Sequence, residues 1–311
     1  MNGPGTSRLF IAIAVALGSS VAAKPEAPTE SASTFVGTTP ANGTVRTMLA
    51  VPTSATVDMI EWKVTLDRDS YRAIARYGRA VANQPGLAPS DAVVERRGRV
   101  TESTVERAGR DIAAYELEGL GTVERVSRDV LHFLKPDDHG LMVGHSGESY
   151  SLLREGAGEA TDCAPAGPPS GLSYKISPVS EGPAVYGVFE GRTPCRGVAA
   201  VLRIEPGSGC FKSKWRVTLF QNPANRHPDA YLAEGSLFHD TPRKGSWRFV
   251  GGRAGAKSPA VIELAAPGMP PIRLQRGDAN VLFFVDENDR PLVGNEHFSY
   301  VLNRRDGVAK P

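Results

Sequence analysis

A nine-residue phrase that occurs twice limits what this chain can fold into. Residues 35–43 read FVGTTPANG and residues 189–197 read FEGRTPCRG. Phe35, Gly37, Thr39, Pro40 and Gly43 recur in step as Phe189, Gly191, Thr193, Pro194 and Gly197. The echo continues downstream. Trp62-Lys63-Val64-Thr65-Leu66 returns as Trp215-Arg216-Val217-Thr218-Leu219, and Val130-Leu131-His132-Phe133-Leu134 as Val281-Leu282-Phe283-Phe284-Val285. Ser149-Tyr150 and Ser299-Tyr300 close the two copies. The offset drifts only where Gly, Pro, Asn and Asp collect, as loop-length differences between two copies of one fold should. Two tandem domains follow, at residues 34–155 and 185–307, joined by a Pro/Gly-rich linker at 156–184.

Periodicity within each copy points to strands. Ile60, Trp62, Val64 and Leu66 recur at every second residue, with Glu61, Lys63 and Thr65 between them. That is the pattern of an antiparallel sheet with one dry face. Strands are also expected at 44–51, 92–96, 99–103, 113–118, 123–127, 130–134 and 148–154, and at 71–81, where Tyr71, Ile74 and Tyr77 also fit a short helical stripe but the counterpart 230–238 contains Gly235 and reads as a strand. In the second copy eight are expected, at 198–205, 211–220, 230–238, 245–250, 260–265, 272–276, 281–285 and 298–303. An even number of antiparallel strands can close by pairing the first with the last. The expected class is all-β: two small antiparallel, lipocalin-like barrels, each opened by the repeated phrase, in which Pro fixes φ and Gly permits tight entry into the first strand.

Arg8 precedes the apolar run 9–17, which ends in small residues and Val21-Ala22-Ala23. That is a signal peptide (residues 1–23) with cleavage expected after Ala23, and the run is shorter than the roughly 20 residues that span a bilayer. Residues 24–33 are rich in Pro, Glu, Ser and Thr and read as a disordered spacer. No Cys stands near the cleavage site, so there is no lipobox, and the mature chain is expected in the periplasm or outside the cell without a transmembrane segment. A net charge of +2 with interleaved signs offers no nucleic-acid footprint.

Three cysteines permit one disulfide. If 199–205 is a strand, Cys195 and Cys210 stand at its opposite ends, beyond the roughly 7 Å Cα separation a disulfide tolerates. Cys163, in the linker, could reach either, and Cys163 and Cys195 are the disulfide candidates. Cys195 is also a soft candidate ligand for copper, and His139, Met142 and His145 form a second weak cluster. Residues three apart on a strand face opposite ways, so a shared metal there needs the turn to curl them together. The first copy keeps the phrase without any Cys, so replacing Cys195 with Ser is expected to leave folding largely intact. Trp62 and Trp215 could line a cavity or simply fill the barrels. Neither a G-x-S-x-G elbow nor an H-E-x-x-H helix occurs, His239-Asp240 has no positioned Ser, and no enzymatic activity is expected.

From residue 186 onward the chain resembles the N-terminal domain of NlpE, a copper-resistance and adhesion-sensing family of Gram-negative envelopes. The resemblance is carried by YGVFEGRTPCRG at 186–197, Gly245-Ser246-Trp247, Ile262-Glu263-Leu264, Phe283-Phe284-Val285-Asp286 and Phe298-Ser299-Tyr300-Val301-Leu302. The first domain looks like a degenerate copy. The family's phrase reads P-C-x-x-C; here the second Cys is missing from one copy and both from the other. The resemblance implies a non-catalytic exported envelope protein, a periplasmic interaction or stress-response module with a link to copper tolerance. The alternative is a lipocalin-like carrier of a small apolar ligand or a metal. The partner is an envelope protein or a small ligand.

Overall fold

A computed structural model of the protein describes Met1 and residues 32–81, 84–89, 92–145, 147–159, 178–206, 210–238, 241–251 and 259–306. The expected signal peptide apart from Met1, nearly all of the spacer, Cys163, His239-Asp240 and most of the linker lie outside the described residues.

The first copy runs β1 (Ser33–Pro40), α1 (Gly43–Leu49), β2 (Met59–Leu66), β3 (Ser70–Gly78), β4 (Val93–Arg107), β5 (Arg110–Leu117), β6 (Gly121–Arg125), β7 (Val130–Phe133) and β8 (Ser151–Arg154). The second runs β9 (Val185–Thr193), α2 (Arg196–Leu202), β10 (Ser213–Gln221), β11 (Pro228–Gly235), β12 (Arg243–Val250), β13 (Val261–Ala265), β14 (Ile272–Arg276), β15 (Val281–Phe284) and β16 (Val301–Arg304). Each copy is a closed antiparallel barrel of eight strands in sequential order. Closure pairs first strand with last, as Phe35 with Arg154 and Glu190 with Asn303. Two tandem barrels are therefore the architecture that the period-two patterning implied.

The identity of the first strand differs from expectation. The repeated phrase is itself the first strand, and the segments read as strands at 44–51 and 198–205 contain the helices α1 and α2. Val45, Thr47 and Leu49 alternate, but only Val45 and Leu49, four apart, are buried; Val198, Ala199 and Leu202 play that part in α2. A seven-residue segment satisfies both periods, so alternation alone could not distinguish them. Each helix links the end of one strand to the start of its hairpin partner and turns its apolar face into that barrel's core. Residues 92–96 and 99–103 are likewise one long strand, β4, which pairs with β3 in its first half and β5 in its second.

Each position of the phrase now has a physical role. Phe35 and Phe189 are core side chains. Gly37 and Gly191 lie opposite Trp62 and Trp215, where the closing strand comes closest. A Cβ on Gly37 would sit 2.6 Å from the Ser151 carbonyl oxygen, and one on Gly191 2.3 Å from that of Val301. No side chain fits there, so glycine is what lets the barrel close. Thr39 and Thr193 are fully buried and accept the indole N–H of Trp62 at 2.8 Å and of Trp215 at 2.9 Å. Pro40 ends β1, Pro194 follows β9, and neither Gly43 nor Gly197 enters a strand; both lie in the first turn of the helices. Each Trp packs on the equivalent phenylalanine, Phe133 at 5.2 Å and Phe284 at 5.1 Å between ring centres. The tryptophans fill the barrels.

The two copies secure the helix start differently. In the first, Asn42 caps α1 by accepting the Val45 N–H at 2.9 Å. In the second, Cys195 holds that place without a side-chain cap and is bonded to Cys210, with Cα atoms 6.0 Å apart. The expected Cys163–Cys195 pairing is thus corrected: the bridge joins Cys195 to Cys210. The distance argument failed because it assumed about 3.3 Å of rise per residue, whereas a helix rises about 1.5 Å and its chain then turns back.

Closing a loop with a sequence separation of 15 residues should stabilise the fold by about 3 kcal/mol. The double replacement Cys195→Ser with Cys210→Ser is therefore expected to lower the free energy of urea unfolding by that order under non-reducing conditions, in place of the near-neutral effect the sequence suggested. Thr193→Val should cost about 1–3 kcal/mol by orphaning the Trp215 indole N–H. An unchanged unfolding midpoint in either variant would contradict the assigned role.

Candidate functional site

The outer faces of the two barrels meet along a seam built from equivalent positions. His132 and Phe283 occupy the same place in the two copies and touch edge to face, with ring centres 5.6 Å apart. Ser149 and Ser299 are also equivalent, and their hydroxyls share a hydrogen bond of 2.5 Å. Gly144 N–H donates to the Asn303 side chain at 2.8 Å, while the equivalent Gly294 faces Leu153, the equivalent of Asn303. Such reciprocal contacts are those of a two-fold interface, here within one chain.

Between these points Val105, Ala114, Leu134, Leu141, Val281, Phe283 and Val301 form a shared apolar cluster. The long β4–β5 hairpin carries Arg107 to it, where a buried ion pair with Glu124 spans 2.6 Å and the guanidinium reaches the Gly277 carbonyl at 3.4 Å. Burial raises the Glu124 carboxyl above its ordinary range, opposed by the pull of Arg107.

Beside the seam a groove of about 350 Å³ opens between the barrels. One wall is Thr38, Met59 and the turn containing Val81 and Gly86; the other is Arg192, Lys212, Lys214, His297 and Phe298, with Glu148 between them. Alternation puts these side chains outside. Gly191 and Trp215 face inward, so their neighbours Arg192 and Lys214 face the other barrel. Arg192 is ion-paired with Glu148, and its backbone N–H donates to the Gly147 carbonyl at 2.8 Å. Burial raises the Glu148 carboxyl, and Arg192 acts against the rise. Lys212 is half-buried, its ammonium 5.1 Å from the centre of the Phe211 ring. Burial lowers its pKa first, and repulsion from Arg192 and Lys214 adds to this. Across the groove Glu61 pairs with Arg76 and accepts the Leu87 N–H at 2.9 Å.

The sequence candidates for a metal do not converge. The Cys195 sulfur is engaged in the disulfide and offers no thiolate. His139 is exposed on a left-handed turn residue with φ of 52°, Met142 is buried in the first core, and His145 is exposed. Among the described residues no group of three or more His, Cys, Asp and Glu is placed to hold a metal ion. The groove residues Arg192, Lys212, Lys214 and Glu148 were not singled out from the sequence. Their one signal was Lys-Ser-Lys at 212–214, two cations on one strand face at period two.

No family model matches the chain, and neither a curated protein nor a solved structure matches it.

The seam carries a pH dependence. His132 is fully buried, its Nε2–H donating to the Met142 carbonyl at 2.9 Å and its Nδ1 lying 2.8 Å from Ser151 Oγ. Burial holds its pKa down to about 4, against an ordinary value of 6.5. Above pH 6.5 the ring is neutral folded or unfolded, and its contribution is complete. Between 6.5 and 4 the unfolded chain takes up a proton that the fold refuses, so stability falls, by about 3 kcal/mol in all. His132→Phe, which copies Phe283, should flatten the urea midpoint against pH across that window. An equally steep profile would place the titrating group elsewhere.

Proposed function

We propose that the chain is a non-catalytic exported envelope protein of the NlpE-like kind, a periplasmic interaction or stress-response module that meets its partner through the inter-barrel groove. One observation carries this reading: each barrel buries a large cluster of its own side chains, while the seam leaves a charged groove on the outside. Trp215, Tyr231, Phe189 and Ile60 are among the largest fully buried groups. Small barrels whose inward residues interdigitate leave their function to the outer surface and loops. The same packing weighs against a lipocalin-like carrier of an apolar molecule. With Cys195 bonded to Cys210, a link to copper tolerance would rest on a signalling role rather than on a thiolate site. Among the described residues no helix is long and apolar enough to cross a membrane.

A photo-crosslinking residue in place of Lys214, expressed in the native host, is expected to give a discrete protein adduct. The same residue in place of Met269, exposed on the β13–β14 turn, should not. Native mass spectrometry of protein drawn from the periplasm should show the processed chain without lipid or copper. A stoichiometric apolar ligand or copper ion would overturn this reading, as would adducts equal at both positions.

A further inference from the structure

The groove holds a like-charge pair that its own fold does not explain. Arg192 and Lys214 are directly opposed across the β9–β10 ladder. At the equivalent place in the first barrel Thr38 is opposed to Glu61. Like charges directly opposite on an antiparallel pair destabilise the sheet. Lys212 adds a third cation, its charge already penalised by burial and by the other two. Glu148 answers Arg192, but among the described residues neither Lys212 nor Lys214 has a carboxylate within ion-pair distance. Two ammonium groups thus stand at the side of a concave space without an ion-pair partner among the described residues, Lys212 feeling only the more distant pull of Glu148.

We propose that this groove binds a compact dianion of the phosphate class, carried on a small organic molecule. It rests on the groove being the binding surface, as in the reading above, and adds the ligand's chemistry. Lys212 and Lys214 act as point charges on the phosphoryl oxygens, the common use of lysine with phosphate. Met59 and Phe298 flank the same space and accept the ligand's apolar body. The cavity of about 350 Å³ is at the small end of small-molecule sites, which run from about 300 to 1,000 Å³. An extended acidic peptide is disfavoured because a closed barrel offers no free strand edge for it to join. The disulfide belongs to this site as well: Cys210 lies two residues before Lys212 and ties that wall to α2.

Isothermal titration calorimetry of the full processed chain at pH 7.5 and low salt tests it, with inorganic phosphate, phenyl phosphate and benzyl alcohol as probes. Both phosphates should bind saturably, benzyl alcohol should not, and each of Lys212→Met and Lys214→Met should weaken binding about tenfold. Tighter binding of phenyl phosphate assigns the site to a phosphate ester, whereas equal affinities assign it to free phosphate. Lys214→Glu provides a readout that a purely structural lysine would not move. It should abolish binding while leaving the thermal midpoint unchanged or higher, since it replaces a like-charge pair with an opposite one. No saturable binding of either phosphate, or binding indifferent to these substitutions, overturns the anion site. The Lys214 cross-link then still tests the groove as a partner surface by itself.

Discussion

Everything outside the two cores depends on a seam in which one copy of the fold meets the other through the same residues. His132 against Phe283 and Ser149 against Ser299 are equivalent positions facing each other. A contact of a residue with its own counterpart can occur only on or near a two-fold axis, so these two pairs locate it. A further contact comes as a reciprocal couple, one polar and one apolar: Gly144–Asn303 and Gly294–Leu153. Directional groups fix the geometry: Asn303 also donates to the Glu148 carbonyl at 3.0 Å, and Leu141 N–H donates to Asp278 at 3.1 Å. Fixed barrels give a fixed groove.

Within each barrel the repeated phrase solves three problems in nine residues. Glycine admits the closing strand, threonine receives a buried indole N–H, and proline ends the strand ahead of a short helix that covers the core. The fourth task, holding the helix start, is done by an Asn side chain in one copy and by a disulfide in the other. This is why the echo could lose its Cys without losing the fold. It also changes the meaning of Cys195, from candidate metal ligand to covalent tether of the loop that bears Lys212.

The sequence made the architecture legible because a period of two and the duplicated order of motifs both report on long strands. Ile60, Trp62, Val64 and Leu66 are buried on one face as their spacing implied. The two short helices were illegible for the complementary reason. Seven residues such as GTVRTML satisfy helical and strand periods alike, and misreading α2 as a strand led directly to the wrong cysteine pairing. The groove was harder still. Arg192, Lys214 and Glu148 are distant in sequence or read as ordinary solvated outward residues, and only the approach of the second barrel turns that outward face into a wall. His132 likewise reads as one polar residue in an apolar strand, with no hint that its partner is the residue equivalent to itself.

A functional reading that places the partner surface between the barrels requires that the barrels behave as one body. Native-state hydrogen exchange against urea measures this most directly, by comparing the slowest amides of β2 in the first barrel with those of β10 in the second. Coupling through the Arg107 contact to the Gly277 carbonyl and the shared apolar cluster predicts a single opening free energy and a common urea dependence for both sets. Two distinct values, with one barrel opening while the other stays protected, would contradict the account.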